Sequence, residues 1–288
     1  MIASIEYIEK VIATYQEAAE ANRQTPLRDG NIIVITSDDA DEVMITADLH
    51  GNRRNFNAIR NVSDLENHPH RHLILQEVCH GGPTYPTNGG CMSHTMLEDV
   101  AKMKAIYPSR VHFLLSNHEL AEVMDFPIVK GQKMLNLQFR CGLQDTYGPA
   151  TEKVREAYFE FIRSCPLAVR LPGDIFVSHT LPENLDTRDF DTTIFHRELT
   201  AADFQQHSSL FNLVWGRDFR PENAQLFAKL VGAKVLINGH DPCAEGFKTP
   251  NDLQIILDCC DRPACYVILL IGEAQSYAQI VESIGQLP

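Results

Sequence analysis

Asp48 and His50 stand two residues apart, directly after the apolar run Val43-Met44-Ile45-Thr46-Ala47. A strand places residues i and i+2 on one face, so the pair can offer a carboxylate and an imidazole to one cation. Gly51 follows at once and lets the chain turn sharply. Three later clusters repeat the format of apolar strand, then His or Asn with small residues: Ser116-Asn117-His118-Glu119, Ser178-His179-Thr180 and Asn238-Gly239-His240. Glu77, after Leu73-Ile74-Leu75-Gln76, is a fifth such position. Each has a plain reading alone. Asp48 and His50 can form a structural hydrogen-bond pair, Asn117 and Glu119 can cap a helix, and Glu77 can be a turn residue. His179 and His240 can be satisfied semi-buried histidines. Together they mix hard oxygen donors with neutral imidazoles, a set that suits Mn, Fe or Zn better than a calcium cage. About six such ligands can hold two ions roughly 3.5–4 Å apart with one carboxylate bridging. The chemistry implied is metal-dependent hydrolysis.

The elements that must position these groups follow from periodicity. Residues 3–22 carry Ile5, Ile8, Val11, Ile12, Tyr15 and Ala19 at helical spacing. Strands are expected at 31–36, 43–47, 73–75 and 111–115, and helices at 52–65, 93–106 and 151–164, with Ser93 as an N-cap. Residues 80–90 are rich in Gly and Pro and read as a loop. Pro172-Gly173 separates strands at 167–171 and 175–177 in a hairpin-like turn. A helical and loop region leads to a helix at 221–231 with Pro221 in its first turn. Strands at 235–237, 253–257 and 265–271 close the chain. Alternating helices and strands predict an α/β chain with a mixed sheet system. Ligands in such folds gather at the C-terminal ends of strands, where these clusters fall.

In this chain order the motifs resemble those of the calcineurin-like metallophosphoesterase superfamily, and within it the phosphoprotein phosphatase type. That family's motifs read Gly-Asp-x-His-Gly, Gly-Asp-x-x-Asp-Arg-Gly, Gly-Asn-His-Glu, His-Gly and Gly-His. Here they stand as Ala47-Asp48-Leu49-His50-Gly51, Gln76-Glu77-Val78-Cys79-His80-Gly81-Gly82, Ser116-Asn117-His118-Glu119, Ser178-His179-Thr180 and Gly239-His240. The resemblance covers about residues 43 to 272. It implies a central β-sandwich of mixed sheets flanked by helices, one domain over 1–288 with 1–30 as an N-terminal helical extension, and a dinuclear site at strand ends. It assigns Asp48 and His50 to a first ion, Asn117, His179 and His240 to a second, and Glu77 to the bridging place. His118 matches the histidine placed near the leaving-group oxygen. The Asp-Arg pair of the second motif is replaced by His80-Gly81, so the usual partner of that histidine and the usual phosphate-gripping arginine are both absent from their places. Arg217 and Arg53 are the substitutes expected to bind phosphate, against a surface ion pair as the plain reading of each. The loop from His80 to Met92 is longer than the family's. The expected partner is a phosphorylated substrate: a phosphoprotein, or a small phosphodiester or dinucleoside polyphosphate. The lost Asp-Arg pair keeps open a third reading, a catalytically weak metal-holding protein.

Composition narrows the alternatives. The chain has 288 residues and is 44% hydrophobic and 22% charged. A formal charge of −13 argues against broad contact with nucleic acid or anionic lipid. No apolar run approaches the roughly 20 residues that span a bilayer, and the start lacks the basic and apolar regions of a signal peptide, so a cytoplasmic chain is expected. The eight cysteines show no CxxC pair and are expected to be reduced. The adjacent Cys259 and Cys260 are expected to pack rather than to bridge.

Overall fold

The structure is a computed structural model that describes residues 2–273 and 275–288. In chain order it forms α1 (Ile5–Gln24), β1 (Arg28–Asp29), β2 (Ile32–Val34), β3 (Glu42–Ile45), α2 (Arg53–Ser63), β4 (Arg71–Leu75), α3 (His94–Ile106) and β5 (Val111–Phe113). There follow α4 (Asn117–Met124), β6 (Val129–Lys130), β7 (Lys133–Met134), α5 (Leu135–Tyr147), α6 (Thr151–Ser164), β8 (Ala168–Leu171) and β9 (Ile175–Ser178). The last part holds α7 (Ser209–Trp215), α8 (Pro221–Val231), β10 (Val235–Asn238), β11 (Phe247–Asn251), β12 (Gln254–Leu257), β13 (Cys265–Leu270), α9 (Tyr277–Glu282) and β14 (Gly285–Gln286).

Two mixed sheets result. One runs β1-β2-β8-β9-β10-β12-β11 and the other β14-β13-β3-β4-β5, with β6 and β7 as a separate hairpin. Strand alternation divides the apolar residues between two cores. Val43, Ile45, Ile74, Val177, Ile237, Ile255 and Val267 point between the sheets. Their neighbours Met44, Leu73, Leu75, Phe176 and Leu236 point outward into a second core shared with the helices. Both faces of the strands are therefore buried, which explains why they read as continuous apolar runs rather than as alternating ones. The predicted α/β sandwich of mixed sheets flanked by helices is the observed architecture.

The N-terminal helix packs onto α3 and α6. Ser4 caps α1 by accepting the Tyr7 amide hydrogen, and Val11, Tyr15, Ala18 and Ala19 are buried in the outer core against α3 and α6. The β6–β7 hairpin, α5, β11, α9 and the two-residue strands β1 and β14 escape the sequence reading. Among the described residues, no helix is long and apolar enough to cross a membrane.

Candidate metal centre

The loops that leave β3, β4, β9 and β10, with the N-terminus of α4 after β5, converge at one rim of the sandwich. Their backbone is unusual there. His50, Glu77, His80 and His240 all adopt positive φ, at 42°, 35°, 64° and 70°. Each such residue costs about 1–3 kcal/mol, and clustering of the cost marks a functional site. The amides of Leu49 and His50 both donate to the Glu77 carbonyl, at 2.8 and 3.1 Å, which locks the first two loops together. At Gly82, with φ of 71°, a Cβ would stand 2.3 Å from the Gly51 carbonyl oxygen, so this loop contact needs glycine.

The six residues expected as ligands come together. His50 Nε2 lies 2.9 Å from Glu77 Oε1. His179 Nε2 lies 2.9 Å from Glu77 Oε2 and 2.7 Å from Asn117 Oδ1. His240 Nδ1 is 3.0 Å from the same Asn117 oxygen, and Asp48 Oδ1 is 3.8 Å from His179 Nδ1. Glu77 thus sits between the Asp48–His50 half and the Asn117–His179–His240 half.

The hydrogen bonds behind these ligands fix their tautomers. The His50 Nδ1 hydrogen has the Cys79 carbonyl as its acceptor, at 3.2 Å. The His179 Nδ1 hydrogen has the side-chain oxygen of Gln76, at 3.2 Å, and Gln76 is itself held because its Nε2 donates to the Thr46 carbonyl. Neutral imidazoles so oriented present bare Nε2 lone pairs to the oxygens of Glu77 and Asn117, which are also acceptors. Only a cation between them, a proton or a metal ion, makes that arrangement favourable. Glu77 Oε2 makes no well-aligned hydrogen bond despite the nearby His179 nitrogen, and His240 Nε2 is buried without a partner. The donor set and its orphaned atoms fit a divalent metal centre.

Electrostatics agree. Burial and the Glu77 carboxylate push Asp48 up to about 7. Burial alone would lower His50, but the Glu77 and Asp48 carboxylates raise it to about 9. His179 rises for the same reason against its burial. Glu77, although buried, is held well below the carboxylate range by the imidazoles of His118, His50 and His179. His240 is pushed well down by burial and by His179. Buried carboxylates draw positive charge into this pit, and protons on His50 and His179 compete with metal for it.

His118 stands beside the pit, with Nε2 3.9 Å from Glu77 Oε1. Its Nδ1 meets His80 Nδ1 at 3.0 Å, and His80 Nε2 meets Glu122 Oε1 at 2.7 Å. Glu122 also accepts from Asn136 Nδ2 at 2.9 Å and from Tyr158 Oη at 3.1 Å. A carboxylate only accepts, so His80 donates from Nε2, accepts at Nδ1, and takes the Nδ1 hydrogen of His118. Burial keeps the His118 imidazolium well below its ordinary range. Glu122, behind the His80–His118 contact, was missed; its place one turn beyond His118 on α4 was the available signal.

The two arginines are less free than expected. Arg53 pairs with Asp99 and donates to Thr95 Oγ1 at 2.7 Å, and Arg217 pairs with Asp241. Both still line a cavity of about 1010 Å³ over the pit, together with Arg54, Lys130 and Lys133. The last three were not expected from the sequence. Gly239 touches the site directly: a Cβ there would lie 2.5 Å from Asp48 Oδ1. Gly239→Ala therefore displaces the Asp48 carboxylate, and bound metal measured by elemental analysis is expected to fall about tenfold in affinity.

No family model matches the chain, and no curated protein matches it. Solved structures do. A protein serine/threonine phosphatase from Saccharomyces cerevisiae, described as similar to human phosphatase PP5, superposes with a TM-score of 0.68 at 14% identity, over 97% of this chain and 89% of that one. A cold-active protein-tyrosine phosphatase of a psychrophile, Shewanella sp., gives 0.57 at 12% identity, over 93% and 84%. A further cold-active protein tyrosine phosphatase structure gives 0.55 at 12%, over 87% and 78%. Across nearly its whole length, with its candidate ligands gathered at one strand-end rim, the chain shares the fold of these phosphatases.

Proposed function

We propose that the protein is a metal-dependent phosphoester hydrolase that removes phosphate from phosphorylated Ser or Thr side chains. The observation that carries the reading is the pair of bare Nε2 atoms on His50 and His179, both turned onto the oxygens of one buried carboxylate. Asp48, His50 and Glu77 would hold one divalent ion, Mn, Fe or Zn, and Glu77, Asn117, His179 and His240 a second. When bound, such a pair supplies an activated water and positive charge for the phosphoryl oxygens.

The chain's own residues do the rest. His118, whose Nδ1 hydrogen goes to His80, takes a second proton at Nε2 against the pull of burial, gives it to the leaving alkoxide, and ends again as the neutral Nδ1-protonated ring. The Glu122–His80 pair fixes the His118 ring for that transfer. Arg54, Lys130 and Lys133 place positive charge around the cavity of an otherwise acidic protein, which favours a phosphate over a neutral ester. Arg217 reaches the phosphate if its pairing with Asp241 yields to the substrate. Val129 on the cavity wall is 65% exposed, and Met134, its partner across the β6–β7 hairpin, is exposed as well. That apolar ledge suits the side chains flanking a phosphorylated residue in a polypeptide.

The same rim cations favour a second reading, hydrolysis of a small polyanion such as a dinucleoside polyphosphate. A panel of phosphopeptide, p-nitrophenyl phosphate, its bis-ester and a dinucleoside polyphosphate, each with Mn, Fe or Zn, separates them. The phosphopeptide and the monoester are expected to turn over and the bis-ester to resist. Preference for the dinucleotide selects the second reading. Bound metal without turnover of any member leaves only a metal-holding protein.

A further inference from the structure

Among the described residues, Cys260 is the cysteine whose sulfur stands with two candidate ligands of the pit. Its Sγ, a carboxylate oxygen of Asp48 and a ring nitrogen of His50 all lie within 4.8 Å of one another. It is half-buried and lines the cavity with both of them. Its vicinal neighbour Cys259 turns the other way, buried in the outer core with its thiol donating to the Cys265 carbonyl at 3.2 Å. The adjacent pair therefore splits between packing and the site, where packing alone was expected.

The segment is held in place rather than draped there. Asn52 Nδ2 donates to the Cys260 carbonyl at 2.6 Å. Asn55 Nδ2 donates to the carbonyls of Cys259 and Asp261, at 2.8 and 3.0 Å. The Cys260 amide donates to Asp258 Oδ1 at 2.8 Å, and the Cys259 amide donates to the Asp48 carbonyl at 3.1 Å. The start of α2 and the loop after β12 thus fix the backbone beside the first half-site. In the same half-site the His50 Nε2, left bare by the Nδ1 hydrogen on the Cys79 carbonyl, faces Glu77 Oε1 at 2.9 Å, which independently points to a cation between them.

We infer that Cys260 is a thiolate ligand of the first metal ion, completing Asp48, His50 and Glu77. The inference rests on the metal-centre reading above and deepens it. On binding, the thiol proton leaves to solvent and sulfur takes its place on the ion. A sulfur donor biases this half-site toward Zn or Fe(II) and away from Mn, which prefers oxygen and nitrogen donors. The second half-site, with no sulfur, keeps no such bias, so the two ions differ in kind.

Cobalt(II) tests this without turnover. The full-length chain, stripped with chelator, is titrated with Co(II) while its spectrum is recorded. Wild type is expected to gain weak visible d–d bands together with an intense near-ultraviolet sulfur-to-cobalt band. Cys260→Ser keeps the visible bands and loses the ultraviolet one, and its preference for Zn over Mn falls about tenfold or more. Cys141→Ser, at the other half-exposed thiol, changes neither. Visible bands without the ultraviolet band in wild type, or the ultraviolet band surviving in Cys260→Ser, overturn the inference while leaving the metal centre intact. No cobalt spectrum at all overturns both.

Discussion

Asp48→Asn and His240→Ala each reduce turnover roughly 10³-fold or more, the scale set by losing several kcal/mol of metal-borne stabilisation. The two substitutions strike opposite halves of the pit. Asp48→Asn removes a charge that burial already makes costly, and the amide that replaces it is a poor ligand. His240→Ala removes a ring that contacts Asn117 and stands 5.0 Å from the ring of His179. Elemental analysis is expected to show less than the full complement of metal in both, with thermal melting confirming that the fold persists. Either variant turning over at the wild-type rate with full metal would mean that the pit is not where chemistry occurs.

The second large effect concerns the leaving group. His80→Ala and Glu122→Gln leave all six candidate ligands in place but loosen the ring of His118. Turnover of an alkyl phosphate, whose alkoxide must receive a proton, is expected to fall roughly 10²-fold, the usual contribution of a positioned acid. Turnover of p-nitrophenyl phosphate, whose phenolate leaves unaided, is expected to change much less. Metal content and KM stay put. A general disturbance of the site would slow both substrates alike, so equal losses on the two would remove His80 and Glu122 from the mechanism. The outcome bears on the heavily altered second motif, where His80 now stands in contact with His118. A histidine backed by Glu122 reaches the same ring that an aspartate would reach in the family.

Much of this was legible because the candidate ligands sit at the ends of apolar strands, and a strand end is both easy to read and rigid. Asp48, His50, Glu77, Asn117, His179 and His240 all fall where the pattern puts them. Most of what escaped lacks either periodicity or chemistry in its own neighbourhood. β11 carries Lys248 and Pro250 on a sheet edge and breaks register there, so neither alternation nor an apolar run announces it. α5 does carry a signal, with Phe139, Leu143 and Tyr147 four residues apart and buried. Its flanking short hairpin has none. Glu122 and Cys260 act through partners far away in the chain, and Arg53 and Arg217 look free in sequence because Asp99 and Asp241 become their partners only on folding.

Four of the converging side chains hang from the five-stranded sheet and two from the seven-stranded one. A cation seated among them would tighten the two leaves at that edge, where the His240 amide already donates to Asp48 Oδ1, while mainly apolar packing joins them elsewhere. Demetallation then frees one margin of the sandwich and leaves the remainder shut. The protein would thus report an empty centre by local gaping of β9 and β10 at their ends, well before it melts as a whole.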